Sequence, residues 1–403
     1  MIYLDNAATT PLHPAAGAAM LPHLGEVYAN PSGIYTPARQ MRNVIDQVRQ
    51  TVAAAICANP TEVYFTSGGT EANNWALQGV VGASLGKHII TSAIEHHAIY
   101  NLCEHMKTAG CEITYLPVDA QGFVSPQAVQ DAIRPDTCLV SIMMANNEVG
   151  TIQPLAEISE ITNKHKIPLH TDAVQAVGHM PVDVNGLGVD MLSLSAHKFY
   201  GPKGIGALYI RKGTKIASLM YGGMQERNRR AGTENTMGIV GMGAALAACL
   251  EEMPREHARI ANMRDRLISE ILTQIPYTQL NGPAGDKRLA GNVNVSFRFI
   301  EGEALLLHLD MQECYASTGS ACSSGALDPS HVLMALGLCH EHANGAIRFS
   351  LGRENTDADI DKLMAILKPT VQKLRDLSPL YDDFKKNAVA PRPEGSGSGL
   401  CPL

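Results

Sequence analysis

From residue 62 to residue 210 short apolar runs alternate with stretches of helical periodicity, and nothing else in the chain limits its possible folds as strongly. Val63-Tyr64-Phe65-Thr66, His88-Ile89-Ile90-Thr91, Ile113 to Leu116, Leu139 to Met144, Pro168 to Thr171, Met191 to Ser195 and Ala207 to Ile210 each suit one strand. Glu71 to Val81 and Ala98 to Met106 read as helices between them. Such alternation predicts an α/β fold, with a mostly parallel sheet flanked by helices and ligands gathered at the strand C-termini.

The flanking sequence reads differently. Tyr3 to Pro11 is a short extended piece running into turn residues, and Asn30-Pro31-Ser32-Gly33 is a second turn. Thr36-Pro37 reads as an N-cap and first-turn proline, followed by an apolar face of Val44, Ile45, Val48, Val52 and Ile56. A helical pattern from Ile239 to about Ile275 is interrupted at Pro254. Val293, Val295, Phe297 and Phe299 alternate with Asn294, Ser296 and Arg298, the pattern of a half-buried strand. Thr356 and Asp359 cap a last helix with a core face of Ile360, Leu363, Met364, Leu367, Val371 and Leu374. A chain of 403 residues exceeds one simple core. The expected division is a large domain over 15–255, a smaller α+β domain from 1–14 and 256–385, and a disordered tail over 386–403.

Composition narrows the function. A net charge of −7 offers no electrostatic reason to expect nucleic acid or an anionic membrane. No apolar run approaches the roughly 20 residues of a membrane span. Met1 to Asp5 lacks a basic segment followed by an apolar one, so a cytoplasmic protein is expected. Nine cysteines without a C-x-x-C pair predict neither a disulfide framework nor a metal ribbon. Cys57, Cys103, Cys111, Cys138 and Cys249 are expected to be buried thiols. Cys339-His340-Glu341-His342 reads as a helix end, and Arg227-Asn228-Arg229-Arg230 as a solvated or structural face.

The polar residues of interest follow the strands. Thr66-Ser67-Gly68-Gly69-Thr70-Glu71 lies between a strand and a helix, which makes it either a phosphate cup or a plain turn. No P-loop or dinucleotide fingerprint is present there. His170-Thr171-Asp172-Ala173-Val174-Gln175 offers an aspartate that could balance a pyridinium nitrogen or cap a helix, with Gln175 three residues on. Glu95-His96-His97 adds an aromatic base and Asn146-Asn147-Glu148 adds amides. Ser195-Ala196-His197-Lys198, fenced by Gly201, Gly204 and Gly206, offers a lysine suited to an imine with an aldehyde cofactor.

Together these stretches resemble the fold-type I, class V aminotransferase superfamily of pyridoxal-phosphate enzymes, and within it the group I cysteine desulfurases of iron–sulfur-cluster and nitrogenase assembly. Leu4 to Pro11, Arg230-Ala231-Gly232-Thr233, Gly319-Ser320-Ala321-Cys322 and Ile347-Arg348-Phe349-Ser350 extend the match over about residues 4 to 380. The resemblance implies pyridoxal 5'-phosphate as cofactor, L-cysteine as substrate and a homodimer. Lys198 would form the imine and move the substrate Cα proton. Asp172 would pair with the pyridine nitrogen, Gln175 would reach the ring hydroxyl, and His96 would stack on the ring and shuttle protons. Gly69, Thr70, Ser195 and His197 would hold the phosphate, with Thr233 completing that cup from the neighbouring subunit. Asn147 and Arg348 would hold the substrate carboxylate, Arg348 by a bidentate pair.

Cys322 is the implied nucleophile, in the polar, small-residue stretch Ser317 to Gly325. A thiolate there would take the substrate sulfur as a persulfide, leave L-alanine, and pass the sulfur to an acceptor such as an iron–sulfur scaffold. Gly33-Ile34-Tyr35 replaces the family's usual Ser-x-His, Thr318 replaces a usual serine, and the sequence after Leu380 resembles the scaffold-docking tail less clearly. A selenocysteine lyase, another class V lyase or aminotransferase, and a non-catalytic sulfur-trafficking partner are the alternative readings.

Overall fold

In the computed structural model, which describes residues 1–318 and 329–389, the alternating run folds into a single sheet. After β1 (Ile2–Tyr3), its strands are β2 (Val63–Thr66), β3 (His88–Ser92), β4 (Glu112–Leu116), β5 (Thr137–Ser141), β6 (Leu169–Asp172), β7 (Met191–Ser195) and β8 (Gly206–Ile210). Among the described residues they lie in the order β2-β8-β7-β6-β5-β3-β4. Pairing is parallel from β4 through β7, and β8 alone runs against its neighbours. Strands β3, β6, β7 and β8 are buried along their whole length. Helices cover both faces, so burial along these strands is continuous instead of alternating. Chain direction across the sheet reverses between β3 and β5, which opens a crevice at their C-terminal ends.

The helix Thr36–Ala55 buries Met41, Ile45, Val48 and Val52 along one stripe. Its N-cap is Tyr35, one residue earlier than expected. A second core forms around β9 (Thr278–Leu280), β10 (Asn292–Phe297) and β12 (Ala346–Ser350), antiparallel in the order β12-β10-β9. Strand β11 (Cys314–Tyr315) pairs in parallel with β1. Val293, Val295, Phe297, Ile347 and Phe349 pack there against Ile360, Leu363, Leu367 and Val371 of the helix Asp357–Asp376. The Thr356–Asp359 capping box starts that helix.

β10 is buried on both faces, not one. Its polar residues meet loops of the neighbouring unit: Asn292 and Asn294 donate to the Glu148 carbonyl at 2.9 and 3.1 Å. Asn281 bonds Asn294 and Ser296 from the other side. Polar alternation therefore marked a hydrogen-bonded seam and not a solvent face.

The helix Thr236–Gln274 runs straight through the expected interruption at Pro254. Ile239, Met242 and Leu246 enter the first core, and Ile260, Met263, Leu267 and Ile271 enter the second. Residues 251–258 between them contain no buried side chain. A proline in a helix interior costs about 3 kcal/mol, which burial at both ends offsets. This helix has the length and hydropathy of a membrane span, contrary to the sequence expectation, but its apolar residues are divided between the two cores.

Cys103, Cys111, Cys138 and Cys249 are buried as expected, whereas Cys57 is exposed, in the left-handed region at φ 56°. The basic cluster is structural: Arg227 donates to the Val63 carbonyl and lies over Tyr64, and Arg230 forks onto Glu71. Helical structure continues over Pro379–Val389, past the expected start of the tail. Residues 390–403, and Cys322 within 319–328, lie outside the described residues.

Candidate active site

Five strand ends meet at the C-terminal edge of the large sheet. At the end of β2 the chain turns through Ser67 and Gly68 into the helix Gly69–Ala83. A Cβ on Gly69 would stand 2.6 Å from Val174 Cγ2, so the close approach of this helix to the segment after β6 requires glycine. The buried Ser195 lies against the same turn, and Thr70 is exposed in the helix's first turn. Unpaired N–H groups at a helix start, next to a hydroxyl, suit an anion. The Ser67 amide donates to Glu71 at 2.7 Å, and Arg230 holds that carboxylate at 2.8 and 3.0 Å. Burial pushes the Glu71 pKa up, but the bonds from Arg230 and Ser67 outweigh it and keep the group ionised.

At the end of β6, buried Asp172 accepts from Asn73 Nδ2 at 2.6 Å and from the Val174 amide at 3.0 Å. Two donors hold its charge in position. Gln175 Nε2 donates to the Ala7 carbonyl at 3.0 Å. β7 ends at Ser195, and a single turn carries His197 and Lys198. Lys198 Nζ donates to the carbonyls of Ala7 and Ala8 at 2.6 and 2.7 Å. His179 Nε2 lies 2.6 Å from the Lys198 carbonyl and fixes the turn from behind. The His197 ring contacts Thr9 Oγ1 at 3.3 Å. Burial, then Lys198 and Lys203, push its pKa down to about 4, so it is neutral.

His96, after β3, caps the helix His97–Thr108 by accepting the Ala98 amide at Nδ1, which fixes the ring. Burial lowers its pKa against the opposing pull of Asp172, with Lys198, His97 and Arg348 lowering it further. Beneath His96, fully buried Glu95 accepts from Ser92 and the Met143 amide at 2.6 and 2.9 Å. Burial pushes the Glu95 pKa up to about 8 despite those bonds, and nearby Asp172 adds to the rise.

After β5, Asn146 ties the two loops at the crevice together, donating to the Ile94 carbonyl and accepting from the amides of Glu148 and Val149. Asn147 accepts at its carbonyl from Arg348 Nη1, 3.0 Å, while its buried Oδ1 has no partner among the described residues. Arg348 comes from β12, is almost fully buried, and binds Asp5 Oδ1 through Nη2 at 2.9 Å. Its Nε is buried without a partner among the described residues.

The structure therefore gathers Lys198, Asp172, Gln175, His96, Gly69, Ser195, His197, Asn147 and Arg348 at one edge. Thr233 is apart, exposed on a loop beside Ser67 and Arg230. Asn73 and Asp5 hold site residues without having been singled out. Asn73 carried a readable signal, lying one helical turn beyond Gly69 and so on the same face.

Residues 2–363 match the aminotransferase class-V family, and the chain belongs to that family. It is 53% identical over 381 residues to "Cysteine desulfurase IscS" of Methanosarcina thermophila, covering 94% of each chain. Among solved structures, a "NIFS-LIKE PROTEIN" superposes with a TM-score of 0.87 at 35% identity, over 93% of this chain and 100% of that one. "SspA in complex with cysteine" superposes at 0.77 with 37% identity, over 87% and 99%. Within the family the chain falls among the cysteine desulfurases.

Proposed function

We propose that this protein is a cysteine desulfurase that works with pyridoxal 5'-phosphate, releases L-alanine and holds the substrate sulfur as a persulfide on Cys322. The observation that carries this reading is the placement of His96, Asp172 and Lys198 at the C-terminal ends of β3, β6 and β7, with Arg348 bonded to the Asn147 loop after β5 at the same edge. The residues fit the cofactor: a glycine-permitted helix start with Ser195 and His197 for its phosphate, a doubly bonded Asp172 for its ring nitrogen, and an amine at Lys198. When bound, it supplies an electron sink that weakens bonds at the substrate Cα and Cβ.

The protein's own contributions follow from its geometry. Arg348 has a buried Nε with no partner among the described residues, an unmet donor suited to an amino-acid carboxylate. Lys198 would move the Cα proton, and neutral His96 would take or return one. Chain on both sides of Cys322 is fastened to the site. Ser317 exchanges two backbone hydrogen bonds with Arg348, at 3.1 and 2.7 Å. Ser330 donates to Glu148 at 2.5 Å, and His331 Nε2 meets the Glu95 carbonyl at 2.9 Å. A Cys322 thiolate forms an S–S bond to the substrate sulfur as the Cβ–S bond breaks. The electron pair left on carbon is taken up as a C–H bond, and the carbon skeleton leaves as alanine.

The division into a large domain over 15–255 and a smaller one from 1–14 and 256–385 is part of the same proposal, supported by the two cores that the helix Thr236–Gln274 joins. A homodimer is supported by exposed Leu21, Leu24, Tyr28, Ile34, Tyr221 and Met224, on the segments that flank the Arg42–Glu234 ion pair next to Thr233. A protein acceptor such as an iron–sulfur scaffold would then receive the sulfur. Replacing Cys322→Ala tests the reading: visible absorbance of the bound cofactor is expected to stay while alanine release from L-cysteine stops. Continued alanine release would remove Cys322 from the mechanism.

A further inference from the structure

Arg348 already holds a carboxylate. Asp5 Oδ1 takes Nη2, one prong of the guanidinium edge formed by Nε and Nη2, and the other prong has no partner among the described residues. The ion pair is well shielded, with 6% of the Arg348 side chain and 22% of Asp5 exposed. Backbone register places Asp5, so its carboxylate has little freedom. Asp5 bridges to Ser350, the Ser350 amide donates to Leu4 at 2.7 Å, and the Asn6 amide donates to Ser350 at 3.3 Å. Ser350 and Arg348 are two positions apart on β12 and share one face. Tyr3 adds a hydroxyl bond to the Asp5 carbonyl at 3.1 Å.

Resting on the reading of Arg348 as the carboxylate receptor, we propose that Asp5 is a resident substitute for the substrate carboxylate. It keeps Arg348 neutralised and aimed while no amino acid is bound. An incoming α-carboxylate must then share the guanidinium with a like charge, so cysteine and alanine both bind more weakly than the arginine alone would hold them. Weak retention favours departure of the product, whose carboxylate is identical to the substrate's. Asp5 is thus a positioning residue that acts through Arg348 and not on the reacting atoms.

Asp5→Asn keeps an acceptor oxygen and removes the charge, so it separates electrostatics from shape. With cofactor-loaded dimeric enzyme, calorimetric binding of L-alanine is expected to tighten about fivefold, the effect of one partly screened ion pair. The KM for L-cysteine should fall by a similar factor with kcat no higher, and binding of cysteamine, which lacks a carboxylate, should not tighten. Asp5→Ser is expected to act in the same direction and serves if the asparagine variant does not fold. Alanine binding that is unchanged or weaker in either folded variant overturns the proposal, because a purely structural Asp5 would loosen the site. Arg348→Lys is the control: if it binds alanine as tightly as the parent, the reading of Arg348 fails, and this inference falls with it.

Discussion

The two sides of the site are built in opposite ways. The proposed cofactor side is made from strand ends of one sheet: Gly69 follows β2, Asp172 ends β6, and Ser195 and Lys198 lie at the end of the adjacent β7. The carboxylate side is made from distant pieces. Arg348 on β12 meets Asn147 after β5 and Asp5 near the first strand. A rigid sheet edge presets one side, whereas the other depends on two cores keeping their mutual position.

Several experiments would break or sharpen that contrast. The largest effect is expected for Lys198→Ala, which should lower alanine formation by about 10⁴-fold or more and abolish the visible band of the loaded enzyme. Retention of that band would dissolve the assignment of the cofactor side. Arg348→Lys gives up the planar fork and should raise KM about 10- to 100-fold with a smaller change in kcat, measured by steady-state kinetics. Equal losses in kcat and kcat/KM would instead place Arg348 in the chemistry. Gly69→Ala drives a methyl into Val174 and should cost about 1–3 kcal/mol, read as a lowered Tm together with weaker cofactor retention. A change confined to KM for cysteine would contradict the division.

The smallest effect concerns pH. Glu95 has a folded pKa raised to about 8, so the folded state keeps a proton that the unfolded chain has already lost. Stability from this group is therefore fully present below its ordinary carboxyl range and declines as pH rises toward about 8. Glu95→Gln should flatten the fall of Tm between those limits. An identical slope in the variant would show that the carboxyl is ionised throughout.

How much of this was readable in the chain also follows the contrast. The cofactor side was legible because each of its polar residues sits within a few positions of an apolar run, and parallel sheets gather such positions at one edge. Asn73 was open to the same logic and was passed over. On the carboxylate side Asn147 and Arg348 were reached only through the family resemblance, and no local pattern reports that Asp5 and Arg348 touch. Burial of β10 on both faces was misjudged for a related reason: alternation records polarity, and the Glu148 carbonyl that absorbs Asn292 and Asn294 lies far away in sequence. Pro254 was read as a break because local propensity disfavours it, yet packing in two cores carried the helix across.

The pairing of β1 with β11 and of Asp5 with Arg348 sets a timetable for biosynthesis. Partners 343 positions apart cannot meet until the ribosome has released almost the whole polypeptide, which at about 5–20 residues per second is a wait of roughly 20–70 s. During that interval the large sheet can mature with its lysine and aspartate in place and Ala7 and Ala8 held by Lys198, while Asp5 still lacks its partner and the enzyme cannot yet grip an amino acid. Catalytic competence thus arrives as the last event of synthesis.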